Sequence, residues 1–476
     1  MSLSTAITIA QSAFNNTAAQ TAIVSKNIAN AGNADYSRRL ALLGSTPNGA
    51  QVVSIYRAQN EALLKQSISS IGQSSGQGRL LSGLELLKSS LGGNDYETSP
   101  ATFLAAFRDS LQTFASTPGN TTMAASAVSD AGDLVNSIST TANAVQNLRT
   151  DADKEIALEV EKLNSLLADF EQANNAVKAA TAQEQDASDA LDQRDTILKQ
   201  ISEIVGISTV TRANNDTVIY TSDGTVLFET MARSVTFTPK TAYDATIAGN
   251  RIYIDGVPVA AGAGANTTAE GKLASLLQLR DDIAPKFQSQ LDEIARGLVT
   301  MFQEGGAPGL FTWAGGTVPA TATVQPGMAA TLVVNPLAKA NPLLLRDGGF
   351  NGIVSNPGGA ATPNAGYTAL LEGYIAAMGQ DMTFDPATGL DGTSSILDFA
   401  TSSIGWLEQL RSTASTASDN KSALLARTQE ALSKETGVSI DEELSLLLDL
   451  EQSYKASAKL VSTVDAMMAA LLEAVR

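Results

Sequence analysis

Apolar residues recur at steps of four and three along both ends of the chain. At the N-terminal end the stripe runs through Leu3, Ile7, Ala10, Phe14, Thr17, Thr21, Val24, Ile28 and Ala31. At the C-terminal end it runs through Ile440, Leu444, Leu447, Glu451, Tyr454, Ala458, Val461, Asp465, Met468, Leu472 and Val475. This spacing lines one face of a helix and forms the seam of a coiled coil. The last segment carries a second seam at Leu446, Leu450, Leu460, Val464, Met467, Leu471 and Ala474. Two adjacent seams make a face wide enough for more than one neighbour. The pattern predicts that the two ends pair with each other and bury against neighbouring subunits. The contacts are expected at Leu3, Ile7, Phe14, Val24 and Ile28 of the first helix. On the last helix they are expected at Leu444, Leu447, Tyr454, Val461, Val464, Met468, Leu471 and Val475.

Between the ends the period changes several times. Asn30, Gly32, Asn33 and Asp35 supply turn chemistry after the first helix. Residues 36–60 read as extended or hairpin-like around Thr46-Pro-Asn-Gly49. Leu64, Ile68, Ile71, Leu80, Leu84, Leu87 and Leu91 return to helical spacing, and Gly92-Gly93-Asn94-Asp95 ends it. Long helices follow over 100–205, opened by Ser99 as N-cap with Pro100 behind it and broken at Thr117-Pro-Gly-Asn120. Residues 207–260 alternate and are rich in Val, Ile, Thr and Tyr, with Asp223-Gly224 and Asp255-Gly256 as hairpin turns. They read as a self-contained β insertion whose removal leaves the helical body folded. Helical spacing resumes at 270–303. Residues 305–366 are dense in Gly, Pro, Ala and Thr and read as a loop-rich excursion, and the chain is helical again from Tyr367.

The predicted fold is mainly α with an inserted antiparallel β domain. The terminal helices pair as a coiled-coil-like bundle around a long-helix body with a loop-rich outer insertion. The expected division is 1–45, an N-terminal helix region paired with 437–476; 46–205, the first part of the body; 206–266, the β domain; 267–304, a return helix; 305–366, the outer excursion; 367–436, the last part of the body; and 437–476, the C-terminal helix.

Charge and composition narrow the function. The chain has 49 acidic and 31 basic residues and a formal charge of −18. That argues against nucleic acid as a partner, because phosphate binding needs clustered Lys and Arg. There is no Cys and no His, hence no thiolate nucleophile, no imidazole base and no thiolate or imidazole metal ligand. No window approaches the ~20 apolar residues of a membrane span. Asp192-Gln-Arg-Asp195 is the densest charged motif; it reads as an intrahelical network or a contact to the next domain, not as a catalytic acid pair. Asp441-Glu-Glu443 behind Ser439 reads as a capped, dipole-matched helix start. No catalytic, cofactor-binding or metal-ligating residue is expected.

Several motifs together resemble a known family. Asn27-Ile-Ala-Asn30 with Tyr36-Ser-Arg38, and Thr436-Gly-Val-Ser-Ile-Asp-Glu-Glu-Leu444 through Tyr454 to Val475-Arg476, resemble the N- and C-terminal signatures of the axial proteins of the bacterial flagellum. Leu191-Asp-Gln-Arg-Asp195 before Ile204-Val-Gly-Ile207 resembles the join of helical body and β domain in the hook–filament junction members. Gly271-Lys-Leu-Ala-Ser-Leu-Leu277 with Arg280-Asp281 fits their next helix. Asp35 departs from the usual Gly before the aromatic, and 305–366 is shorter than the outer domain many members insert there.

The resemblance implies a non-enzymatic structural subunit without cofactors. Such a subunit is secreted by the flagellar export apparatus and polymerises extracellularly between hook and filament. Its implied partners are copies of itself, the hook protein, the second hook–filament junction protein, and a cytosolic export chaperone on the C-terminal helix. The alternatives are another axial protein of hook or rod type, or a soluble coiled-coil signalling or adhesion module with a β-domain head.

Overall fold

The computed structural model describes residues 3–46, 49–259 and 269–474. The chain opens with helix α1 (Leu3–Ala29), then an antiparallel hairpin of β1 (Arg39–Thr46) and β2 (Gly49–Arg57). The expected division at 45/46 cuts through this hairpin, which the structure keeps whole because the two strands pair along their length. The Pro47–Asn48 tip of the expected turn lies outside the described residues.

The body starts with α2 (Glu61–Ser90), capped by Asn60, whose side chain accepts from the Leu63 amide. Ser99 caps α3 (Pro100–Ser116) by accepting from the Thr102 amide, with Pro100 in the first turn where its missing N–H costs nothing. Asn120 caps α4 (Thr121–Ala182), a single helix of 62 residues that spans roughly 90 Å at 1.5 Å per residue. Helix α5 (Ser188–Ile204) packs against α4. Strands β3 (Ile207–Thr211), β4 (Thr217–Thr221) and β5 (Val226–Phe228) form one antiparallel sheet. Strands β6 (Val235–Thr236), β7 (Tyr253–Ile254) and β8 (Val257–Pro258) form a second. Gly224 (φ 89°) and Gly256 (φ 82°) occupy the left-handed turn positions that the Asp-Gly pairs predict.

Helix α6 (Lys272–Gln278) passes through a π turn at Leu279–Ile283 into α7 (Ala284–Met301). Short elements follow: β9 (Phe311–Thr312), α8 (Met328–Thr331), β10 (Val333–Val334), α9 (Pro336–Ala340), α10 (Leu344–Asp347), α11 (Ala369–Gly379), β11 (Met382–Thr383) and β12 (Thr393–Ser394). Two long helices close the chain, α12 (Ile396–Thr436) and α13 (Ile440–Ala474). The architecture is the mainly α fold with small inserted antiparallel sheets that the periodicity predicts.

Two hydrophobic cores hold the body. The first joins α2, α3, the first half of α4, α7 and α12, with Phe107, Phe302 and Phe311 in mutual contact at centroid distances of 5.1–5.7 Å. The second joins the other half of α4 with α5, α6 and both sheets, where Phe170 meets Phe228 edge-on at 4.9 Å. This corrects the reading of 206–266 as self-contained. Sheets this short cannot bury both faces alone, so Ile219, Phe228, Val235 and Ile254 share one core with the helices.

The 305–366 segment is loop-rich, as expected, but it does not simply project outward. Leu310, Phe311, Met328, Ala329 and Leu332 are buried in the first core. Asp292 on α7 clamps the segment, its carboxylate accepting from the amides of Gly327 at 3.0 Å and Ala329 at 2.8 Å. Burial raises the Asp292 pKa to about 6, against these hydrogen bonds, which lower it. The folded chain thus binds a proton that the unfolded chain has released. The stability tied to this group is full below pH ~4 and is lost as pH rises through about 6. Thermal melting of Asp292→Asn is expected to vary less than the parent's between those pH values.

Candidate assembly interface

Helices α1 and α13 pack against each other. Phe14 meets Tyr454 edge-on at 4.9 Å and Asn27 bonds Glu443, so the two helices run antiparallel. The inward residues step by seven on each helix: Ala10, Thr17 and Val24 on α1, and Glu443, Leu450, Ser457 and Val464 on α13, all buried. A seven-residue step is the period of a coiled-coil seam. Ala, Thr, Ser and Glu make this seam thin, and most of the large apolar side chains of α13 fall outside it. Leu448, Leu460 and Leu472 are 60%, 59% and 68% exposed, and Leu444, Tyr454, Met467 and Met468 are exposed as well. Monomeric soluble proteins seldom leave so many large apolar side chains of one helix open to water.

The expected contact residues separate into two sets. Val24 and Val464 are buried within the chain and hold its own helix pair, so they are not available to a neighbour. Phe14, Ile28, Leu447 and Val461 are half-buried, whereas Ile7, Leu444, Tyr454 and Met468 are exposed. The side chains of Leu3 and Leu471, and all of Val475, lie outside the described residues.

A buried polar hub fixes the base of the pair. Asn27 donates from Nδ2 to the Arg39 carbonyl at 2.9 Å and to Glu443 Oε2 at 3.1 Å. Its Oδ1 accepts from the Tyr36 hydroxyl at 2.8 Å and the Arg39 amide at 2.9 Å. The amide is therefore fully used, which accounts physically for an Asn followed by an aromatic nine residues on. Burial pushes the Tyr36 phenol up to about 12, so it stays a donor. Glu443 also accepts from Arg38 Nε at 2.6 Å and is fully buried. The Asp441-Glu-Glu443 run is thus more than a dipole-matched start: Ser439 does meet the Glu442 amide at 3.5 Å, but Glu443 points inward to the hub.

A charged ladder joins this module to the body. Arg39 and Arg57 lie directly opposite across the hairpin, an arrangement of like charges that repels unless a counter-charge intervenes. Asp192 on α5 intervenes, Oδ2 accepting from Arg39 at 2.5 Å and Oδ1 from Arg57 at 2.8 Å. Asp195 accepts from Arg57 at 2.6 Å, and Asp189 accepts from Lys26 at 2.8 Å and Arg39 at 3.0 Å. Hydrogen bonds from Lys26 and Arg39 hold the Asp189 carboxyl below its usual value, while burial pushes Asp195 up. Arg194, between them, turns the other way to Asn174 and the Asn215 carbonyl. The Asp192-Gln-Arg-Asp195 motif is therefore a contact between modules, one of the two readings its sequence allowed. Arg38, Arg39, Arg57 and Asp189 were missed as site residues because no local period marks a cross-strand Arg pair. A crevice of about 840 Å³ opens beside the ladder, between the 31–37 turn, the start of α2 and the end of α12.

A family model described as the helical domain of flagellar hook-associated protein FlgK matches residues 90–314. A second, the C-terminal region of the flagellar basal body rod proteins FlgEFG, matches residues 429–474. The solved structure of the flagellar hook junction protein FlgK from Burkholderia pseudomallei is similar, with a TM-score of 0.56 at 14% sequence identity, over 77% of this chain and 99% of that one. No curated protein sequence matches the chain. An α-helical body carrying a paired terminal module, with these matches at both, defines a flagellar axial protein. Within that class, the two matches support a FlgK-like hook-associated protein, a structural component of the flagellum.

Proposed function

We propose that this flagellar subunit builds the layer between hook and filament by polymerising through its terminal helix pair. The observation that carries the reading is the set of leucine, tyrosine and methionine side chains of α13 left open to water on either side of a thin intrachain seam. In the assembled layer, Ile7, Leu444, Tyr454, Leu460 and Met468 bury against neighbouring copies, and the body with its β sheets and the 305–366 segment lies outside. The chain's role is mechanical, without catalysis or cofactor. Hook protein lies on one side and the second junction protein on the other. Before secretion a cytosolic chaperone covers the same α13 face, because an apolar surface of this size invites aggregation. Among the described residues no helix is long and apolar enough to cross a membrane.

The test is uptake of the purified chain by isolated hooks, read by sedimentation. Saturable binding at the hook end supports the reading. Absence of binding to hooks that accept other axial subunits contradicts it.

A further inference from the structure

The inward line of α13 is a poor choice on hydrophobic grounds. It presents Glu443 and Ser457 to α1, alongside Leu450 and Val464. In a helix with a seven-residue repeat, residues three and four beyond each inward position flank it at roughly 50° to either side. On one flank lie Leu446, Leu460 and Met467; on the other lie Leu447, Tyr454 and Met468. Turning α13 about its axis toward either flank would bury leucine, tyrosine and methionine area that now faces water. At roughly 25 cal/mol per Å² of apolar area, burial alone favours such a turn. The three-residue link at 437–439 opposes it little, because a turn of roughly 50° about the helix axis moves the start of α13 by only about 2 Å.

What opposes it is the charge at the base of the helix. Glu443 is fully buried, and its two oxygens are met by Arg38 Nε at 2.6 Å and Asn27 Nδ2 at 3.1 Å. Rotation would draw the carboxylate away from both donors and break two charge-assisted hydrogen bonds. It would also leave one donor of the Asn27 amide empty. A buried polar group whose partners exist in one arrangement only selects that arrangement.

We propose that Glu443, with Asn27 and Arg38, is a rotational latch: it holds α13 in the orientation that keeps both apolar flanks open for subunit contacts. These are positioning residues, not contact residues. The reason the orientation matters rests on the assembly reading above, but the orientation itself is a property of the single chain and is measured there.

The chain has no cysteine, so single thiols report cleanly. Leu460→Cys and Met468→Cys place one on each flank, and Leu450→Cys places one on the inward line. With Glu443 intact, the two flank thiols react quickly with maleimide and Leu450→Cys slowly. In a Glu443→Leu background, one flank thiol is expected to slow at least tenfold while the other keeps or exceeds its rate. Glu443→Gln, whose single amide oxygen can accept from Arg38 but whose –NH2 cannot accept from Asn27, is expected to slow the same flank thiol by a smaller factor. Circular dichroism checks that helix content is kept. Unchanged rates at both flanks overturn the latch. A rise at Leu450→Cys together with both flanks also overturns it, since the hub would then anchor the helix instead of orienting it. Normal hook binding by a chain whose flank has become protected would leave the latch standing and refute the assembly reading instead.

Discussion

Leu460→Asp is expected to abolish binding of the chain to hooks while leaving its melting temperature within about a degree. Leu460 is 59% exposed, so a carboxylate there costs little in the free chain. Surface substitutions of this kind usually stay within about 0.5 kcal/mol. In the assembled layer the same carboxylate would be buried in an apolar contact without a partner, at a cost of several kcal/mol. Each 1.4 kcal/mol is about tenfold in affinity, and a heterologous contact recurs at every subunit of the layer. Met467→Asp, 53% exposed, is expected to behave alike. Val464→Asp is a different experiment: Val464 is buried inside the helix pair, so its substitution should loosen the pair as well as assembly. A Leu460→Asp chain that binds hooks normally would mean that α13 is not a contact surface.

The second large effect lies far from the interface. Asp153→Ala is expected to destabilise the body by about 3–5 kcal/mol: it breaks one of the two ion pairs of buried Arg280, which keeps Asp281, and leaves the Lys240 amide and Tyr243 hydroxyl without their acceptor. Asp153 and Arg280 are both fully buried and form an ion pair at 2.5 Å. Asp153 also accepts from the Lys240 amide at 2.5 Å and the Tyr243 hydroxyl at 2.7 Å. Arg280 stands in the π turn and donates on to the Asn250 carbonyl at 2.7 Å. Arg149 adds bonds to the carbonyls of Asp244 and Ile247 at 2.9 and 2.6 Å. This cluster straps the 237–250 coil onto α4, so the loss should appear as one cooperative shift in a denaturant melt. A separate early transition of the β segment, with the helices unaffected, would mean that the shared core is not a single unit.

The sequence disclosed what is local. The Ser99-Pro100 helix start, the Asp-Gly turns and the helical period of both ends each follow from neighbouring residues, and each appears as expected. It was less informative where structure depends on distant pairs. Asn27 and Glu443 are 416 positions apart, and nothing in the helical period indicates that a glutamate in a charged first turn points inward. Of the two seams predicted for α13, the second shares Leu450 and Val464 with the true one and the first lies beside it, because Glu443 and Ser457 do not register as apolar. The β segment looked independent because turn signals mark its strands, whereas its apolar residues find their partners on α4 and α5. The 305–366 segment looked loose for its glycines and prolines, yet Asp292 on α7 secures it through backbone amides that carry no sequence signal.

The central claim is that the open face of α13 is covered when subunits assemble. Maleimide labelling of Leu460→Cys measures this directly, in the free chain and in junctions isolated from intact flagella. The thiol should react quickly in the free chain, where the position is 59% exposed, and at least tenfold more slowly in the assembled layer. Equal rates in the two states would contradict the account.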